Sequence, residues 1–524
     1  MKGAFRQSMA WLHTWTGLLV GWFLFVIFLS GTTAYFQYEI TRWMKPEQTR
    51  VVTPQVAAQN AMTWLRANQP EAVAWDIYLP GKRGGPVEIY WTPKPEAGKD
   101  AVRDWEKDTA RLDAATGQKT TGRDTQGGYF LYRFHYDLHY IPVIWARWIV
   151  GFCAIMMLTA CITGIVTHKK IFADFFMLRF GKGQRSWLDA HNVSAVMALP
   201  FILMITYTGL VTLASLYMPW PIKASGMTEE SYFAALYPVA PTREPTGKPA
   251  ALINLDKVFE ATRRRWHGDG IAYLSAVNPG DAGATLTATS APDERLQTRG
   301  DSVQFDGATG QILWASPVRS VEAKTESVMV GLHAGRYAGT VLRWLYFIGG
   351  IGGTMMIATG LVLWTSKRRL KLPDPARPHF GFKLVEKLNI GFIAGFPTGI
   401  AVYFLANRLL PLGMTARADW EIHSLFIAWV AVLVWAFARP TKRGWVEAMS
   451  ACAGLFALVP VVNAITTPRG LIHSLFSGDI LFLSFDVLML LTAAAYALAA
   501  WKTARHKPYV KVNKKAVNTQ PEPA

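Results

Sequence analysis

Eight long apolar stretches, separated by polar segments of very unequal length, set the pattern of this chain. They run at about 11–36, 141–167, 193–218, 338–365, 388–410, 422–438, 446–465 and 480–501. A bilayer crossing takes ~20 mostly apolar residues, so each stretch is predicted to span a membrane. Two polar segments are large, at about 40–131 and 219–332. The first reads as a helix over 55–67 and strands over 75–79 and 87–91. The second reads as a helix over 255–266 and strands over 272–277 and 284–289. Each closes on a related turn, Asp113-Ala114-Ala115-Thr116-Gly117 and Asp306-Gly307-Ala308-Thr309-Gly310. Asp bonds the backbone ahead of it there, and Gly accepts positive φ. The segments are therefore predicted as two small α+β modules.

The first four spans carry an internal repeat. Leu12-His13 precedes Ser30-Gly31 by the interval at which Ala190-His191 precedes Thr208-Gly209. Arg147-Trp148 precedes Gly164 as Arg343-Trp344 precedes Gly360. The predicted organisation is a first repeat over 1–168 and a second over 187–365, each span, module, span, joined by a loop at 169–186. A loop at 366–386, a four-span region at 387–502 and a tail at 503–524 follow. Both copies start on the same side, so an axis along the membrane normal is expected to relate them. The C-terminal spans have short links and no module, with a small echo of their own in Ile422-His423-Ser424-Leu425-Phe426 and Ile472-His473-Ser474-Leu475-Phe476. The fold class is a polytopic α-helical membrane protein with a four-helix bundle, two outer modules and four further spans.

Charge orients it. The 524 residues are 51% hydrophobic and 17% charged, and the formal net charge is +18. The excess sits near Lys2 and Arg6, in the loops 168–190, 366–386 and 439–445, and after Trp501. With eight spans all of these fall on one side, so the positive-inside rule puts both termini in the cytoplasm and both modules outside. In a Gram-negative cell that means the inner membrane, with the modules in the periplasm. Lipid contact accounts for the basic excess, and nucleic acid is not an expected partner. The first apolar run is longer than a signal-peptide core, and no clear Ala-x-Ala site follows, so it is read as a retained span. Cys153, Cys161 and Cys452 all lie in apolar runs and form no metal-binding pattern.

Ionisable residues at membrane spans mark function by default. The repeat sorts the histidines into His13 with His191 at the inner ends of spans one and three, and His139 with His333 at the outer ends of spans two and four. Two imidazoles facing across a helical bundle are the arrangement that holds haem iron axially. Two b-type haems are predicted, one near each face, and the absence of Cys-x-x-Cys-His excludes covalent attachment. His168 breaks the symmetry, its counterpart by spacing being Trp364; it is an alternative ligand, or an anion contact together with Lys169 and Lys170. His135, one turn before His139, is an alternative to it. His423 and His473 form a further outer candidate pair. The 29 residues from His139 to His168 would separate the two faces by roughly 43 Å of helix. Gly349-Gly350-Ile351-Gly352-Gly353 lies inside a span and is read as close helix packing, not as a nucleotide loop.

Leu12-His13-x-Trp15-x-Gly17-Leu18, Leu138-His139, His168-Lys169-Lys170-Ile171-Phe172, Asp189-x-His191-Asn192, Leu332-His333-Ala334-Gly335-Arg336 and Thr359-Gly360-Leu361-Val362-Leu363-Trp364 together resemble the PepSY-associated transmembrane family. That family includes PiuB-type iron-regulated proteins and FoxB-type siderophore reductases. The resemblance covers about residues 1–370; the four C-terminal spans depart from it. It implies PepSY modules outside, haem in the membrane, and reduction of ferric siderophores at the periplasmic face. Electrons are then expected from a membrane quinol or a cytoplasmic reductase, because no loop is large enough for a flavin or nicotinamide domain. Two other readings stand beside it. One is a non-enzymatic envelope regulator or scaffold whose modules bind peptides or partner proteins. The other is a transporter, for which Asp486 is the one notable intramembrane charge.

Overall fold

The computed structural model describes residues 2–47, 52–96, 100–120, 122–168, 178–268, 270–291, 295–375 and 377–506. Lys169, Lys170, Ile171, Phe172 and the tail from 507 lie outside them. The chain opens with α1 (Lys2–Ala34), α2 (Gln37–Met44), α3 (Pro54–Asn68), β1 (Ala74–Tyr78), β2 (Val87–Thr92), β3 (Thr109–Leu112), α4 (Gly127–Asp137) and α5 (Val143–Thr167). It continues with α6 (Gln184–Thr212), α7 (Ala214–Tyr217), α8 (Trp220–Ala224), α9 (Glu229–Leu236), α10 (Leu255–Arg265), β4 (Ile271–Val277), β5 (Thr285–Ser290), β6 (Ser302–Asp306), β7 (Ile312–Ala315), α11 (Val321–Ala334) and α12 (Thr340–Arg369). It ends with α13 (Phe380–Ile393), α14 (Gly395–Leu409), α15 (Arg417–Ala438), α16 (Thr441–Thr466), α17 (Leu471–Ser477) and α18 (Ile480–Arg505).

Among the described residues eight helices are long and apolar enough to cross a membrane, and they coincide with the eight predicted spans. The third starts earlier than predicted, at Gln184, because a helix continues past the point where its residues turn polar. α13 and α14 together make the fifth span, which is also the most enclosed by protein. Helices α1, α5, α6 and α12 form a ring, α1 against α5 and α12, and α6 against the same two. The glycine run of α12 lets this ring close. A Cβ on Gly350 would sit 2.2 Å from Thr32 Oγ1, and one on Gly353 would sit 2.8 Å from the Phe28 ring. These glycines mark close helix approach, as the sequence suggested.

The polar segments do not build two separate sheets. They share one, in the order β3-β2-β1-β4-β5-β6-β7, joined where β1 and β4 pair antiparallel with Asp76 opposite Ser275. Side chains alternate across a strand. Ile77, Ile89, Leu274, Leu286, Val303 and Phe305 face one way and bury against Ala58, Met62, Val258 and Phe259 of α3 and α10. The two helices touch across this face, where Gln55 and Gln59 both donate to Asp256 Oδ1 at 2.6 and 2.8 Å. The expected turns are present: Asp113 Oδ1 accepts from Ala115 N and Thr116 N, Asp306 Oδ1 from Ala308 N and Thr309 N, and Gly117 and Gly310 have φ of 69° and 80°.

The opposite face of the sheet is aromatic and charged. Tyr78 packs on Tyr273 at 4.7 Å and on Tyr90 at 5.7 Å, and Tyr90 packs on Trp105. Arg103 donates to Asp76 at 2.5 Å and lies over the Trp105 ring. This face neighbours α2 and α4, since Lys45 interacts with Glu88 and Arg111, and Tyr129 with Tyr90. Glu39 of α2 pairs with Arg83 and with Arg343 of α12, each at 2.7 Å, tying sheet to bundle. This end of the bundle is the sheet end below; the other is the far end.

Candidate functional site: two pairs of facing imidazoles

Four histidines meet in two pairs, one carried by α1 and α6 of the four-helix ring and one carried by α4 and α11, which lie against Gly31 of α1 and Gly209 of α6. At the far end His13 of α1 and His191 of α6 have ring centroids 6.2 Å apart. At the sheet end the pair is His135 of α4 and His333 of α11, at 6.3 Å. His139, expected opposite His333, is not there. It follows the end of α4, where Leu138 takes a left-handed φ of 44°, and packs on Phe130, Tyr140 and Phe426. His333 instead precedes its cap, Gly335 at φ 60°. The Leu-His dipeptides at 138–139 and 332–333 match in sequence but lie on opposite sides of a helix end.

Three of the four imidazoles are held in one local pattern. His13 Nδ1 donates to Ala160 O at 2.8 Å, His191 Nδ1 to Met356 O at 2.8 Å, and His333 Nδ1 to Ile205 O at 2.9 Å. Three residues after each carbonyl a threonine hydroxyl donates to the same oxygen: Thr163 to Ala160, Thr359 to Met356 and Thr208 to Ile205. Four residues after it stands a glycine. A Cβ there would come within 3.2 Å of His13 at Gly164, 3.1 Å of His191 at Gly360 and 2.8 Å of His333 at Gly209. These are the Thr-Gly steps that marked the repeat in the sequence, and their physical use is to seat an imidazole. The fourth copy, Ser30-Gly31, faces His135, but that ring bonds Tyr132 O of its own helix.

Fixing Nδ1–H on a carbonyl sets the tautomer and leaves Nε2 with a free lone pair aimed elsewhere, the usual state of a metal-bound histidine. Among the described residues no hydrogen bond reaches Nε2 of His13, His135, His191 or His333. Two metal–nitrogen bonds of about 2 Å, plus two half-widths of imidazole, make about 6 Å between centroids. Both pairs have that spacing. Among the described residues no group of three or more His, Cys, Asp or Glu is placed to hold a metal. Each pair therefore offers two neutral imidazole donors. Outside the spans, burial and then His333 lower the His135 pKa to about 4, and burial lowers that of His333. Burial thus favours the neutral form of both.

The far end has two further groups of note. Asn192 Nδ2 donates to His168 Nε2 at 2.9 Å, which leaves the buried Nδ1–H of His168 without a partner. Trp364 Nε1 is likewise buried and unpartnered, with Arg368 over its ring at 4.0 Å. Each lies one turn beyond a glycine that seats a far-end imidazole, His168 after Gly164 and Trp364 after Gly360. Both are buried N–H donors. His423 and His473 are not brought together. His423 accepts from the Tyr140 hydroxyl and packs on Trp420, while His473 is exposed on α17. Asp486 accepts from Trp43 Nε1 at 3.2 Å and Asn463 Nδ2 at 3.1 Å.

A family model for the PepSY-associated TM region matches residues 10–367. The chain belongs to that family. It is also similar to an uncharacterized protein of Pseudomonas aeruginosa, 25% identical over 374 residues that span 68% of this chain and 91% of that one. The family match in this PepSY-associated protein takes in all four paired histidines and stops before α13. The polar residues of the C-terminal helices lie beyond it.

Proposed function

We propose that this membrane protein is a haem-containing reductase that carries electrons across the bilayer to a ferric siderophore or similar ferric chelate. The reading places it in a bacterial inner membrane with both termini cytoplasmic and the sheet in the periplasm. The observation that carries it is the pair of 6.2 and 6.3 Å separations between opposed imidazoles. Haem b held by His13 with His191, and by His135 with His333, supplies reversible one-electron chemistry at each level.

The chain's own residues do the rest. Ala160, Met356 and Ile205 carbonyls orient three of the rings, and Gly164, Gly360, Gly209 and Gly31 leave space beside all four. His168 Nδ1, Trp364 Nε1 and Arg368 suit carboxylates at the far end. The two levels lie 18 residues apart on α1, from His13 to Gly31, or about 27 Å along its axis. That is well short of the 43 Å that His139 and His168 implied. Phe28 and Phe201 fill the interval between the levels, against Gly353 and Gly349. At the sheet end Tyr78, Tyr90, Tyr273 and Trp105 line a surface of aromatic rings, with Arg103 paired to Asp76 beneath it. Such a surface suits an aromatic iron chelate. The electron donor is a membrane quinol or a separate cytoplasmic reductase.

The absorption spectrum of the detergent-purified protein is the test. Two haems per chain, with α-bands that sharpen on dithionite, are expected. A colourless protein from haem-replete cells rejects the reading. The envelope scaffold would then remain, with the edge strand β7, where Ile312 and Leu313 are exposed, as its peptide-binding surface.

A further inference from the structure

The reductase reading gives the four C-terminal spans no role. The geometry points to one: α14 and α15 clamp α4, the helix that presents His135, and thereby set how that imidazole meets His333. This inference rests on the reading of His135 and His333 as a metal-holding pair.

The grip begins just before α4. Arg417 Nη1 donates to Asp124 O at 2.9 Å and also bonds Glu421. Thr125 donates its hydroxyl to Glu421 and accepts from Gly127 N at 3.0 Å. Tyr403 donates to Gly127 O at 2.9 Å, and Arg123 Nη1 to Asn407 O at 2.9 Å. Further along α4, Phe130 packs on Tyr403, and Phe134 packs on both Phe396 and Phe426. His135 is the next residue. Tyr403, Arg417 and Glu421 are all at most 1% exposed. Arg417 Nε alone of these groups is buried without a partner; the rest hold one arrangement, because displacement would leave a further unpaired charge or hydroxyl in an apolar setting.

The other half of the sheet-end pair is held differently. Around α11 the contacts come from its own polar segment, with Thr298 and Arg299 bonding Ser327 and the Leu296 carbonyl lying against Gly331, and from the first four spans, with His333 bonding Ile205 O of α6 and Tyr346 of α12 donating to Leu332 O. Among the described residues no hydrogen bond joins α11 to α14 or α15. The lead-in helices differ in the same sense. α2 buries Trp43, which stacks on Phe485 at 4.1 Å beneath Arg408, whereas α7, α8 and α9 bury only Ile222. His135 is also the one ring of the four that bonds its own helix. Its counterpart acceptor, the Ile27 carbonyl, takes the Ser30 hydroxyl but no imidazole. The clamp on α4 decides which of these two acceptors the ring engages, and so the strength and orientation of the sheet-end ligand.

The test uses the full-length protein in detergent, comparing Tyr403→Phe with Thr125→Val as a double variant against wild type. Tyr496→Phe is the control, because its hydroxyl donates to Ile393 O away from α4. Hydrogen exchange of 127–137 should quicken roughly fivefold or more, the equivalent of one lost hydrogen bond, while 321–334 stays unchanged. In the reduced spectrum and redox titration one haem should shift and the other stay, and the shift should be absent when His135→Ala has removed the sheet-end haem. Unchanged exchange over 127–137, or equal shifts of both haems, overturns the clamp while leaving the reductase reading intact. If the wild type binds no haem, the reductase reading fails, and exchange over 127–137 alone decides whether α14 and α15 hold α4.

Discussion

Gly209 and Gly31 occupy equivalent places in the sequence, yet the structure gives them different tolerance for one added methyl. In Gly209→Ala the new Cβ would lie 2.8 Å from His333 Cε1 and 3.3 Å from its Nδ1. Relief requires the ring to retreat by several tenths of an ångström, which draws Nδ1 away from the Ile205 carbonyl, now at 2.9 Å. Beyond about 3.5 Å that contact is no longer a hydrogen bond. Overpacking of this kind costs about 1–3 kcal/mol, and the lost bond about 1 kcal/mol more. The sum, about 2–4 kcal/mol, weakens occupancy of the sheet-end site by a factor of roughly thirty to several hundred. In Gly31→Ala the methyl meets His135 Cδ2 at 3.6 Å, an ordinary contact, and the helix gains a better former. Haem content and the redox titration of both variants provide the assay. Gly209→Ala should lose the sheet-end haem and keep the other, while Gly31→Ala should keep both. Equal damage from the two would mean that His135 leaves Tyr132 and seats itself against Gly31 in the working protein, contrary to the geometry described.

His135→Ala should abolish one haem while His139→Ala retains two, as counted by pyridine haemochrome; the reverse result restores the pairing first read from the sequence. Glu421→Ala strands the buried Arg417 guanidinium, and breaking such a pair costs about 3–5 kcal/mol, so thermal unfolding in detergent should begin markedly earlier. Burial first, then Arg111, lowers the Lys45 pKa from 10.5 to about 8. The unfolded chain then binds the extra proton between those values, so the contribution of Lys45 to stability is at its best above pH 10.5 and is lost as pH falls through about 8. Lys45→Met should therefore stabilise the protein at pH 7 by up to about 3 kcal/mol, with the gain shrinking between pH 8 and 10.5; a pH-independent difference in unfolding temperature would refute this.

Much of this molecule follows from local pattern. Span number and position, the α3 and α10 helices, the inner strands of the sheet and the two Asp-to-Gly turns all rest on interactions within a few residues, where hydropathy and turn chemistry act. The Ser/Thr-Gly steps were visible for the same reason: the hydroxyl bonds its own helix, and the glycine reports a neighbour that must come close. The far-end pair, His13 and His191, was legible because both sit on uninterrupted helices where spacing converts directly into position.

Three things required the third dimension. Which histidine of 135 and 139 faces His333 depends on where α4 ends, and it ends at a leucine in a left-handed conformation that no local rule assigns to leucine. The joining of two polar segments into one sheet depends on β1 meeting β4 across about 200 residues, an encounter fixed by the bundle beneath them. The buried assembly of Arg408, Arg417, Glu421, Asn463 and Asp486 reads in sequence as scattered polar residues, because apart from the Arg417–Glu421 pair of α15 its members come from different helices. Spacing along a chain determines which residues share a face of one helix; which faces then meet is decided only by packing.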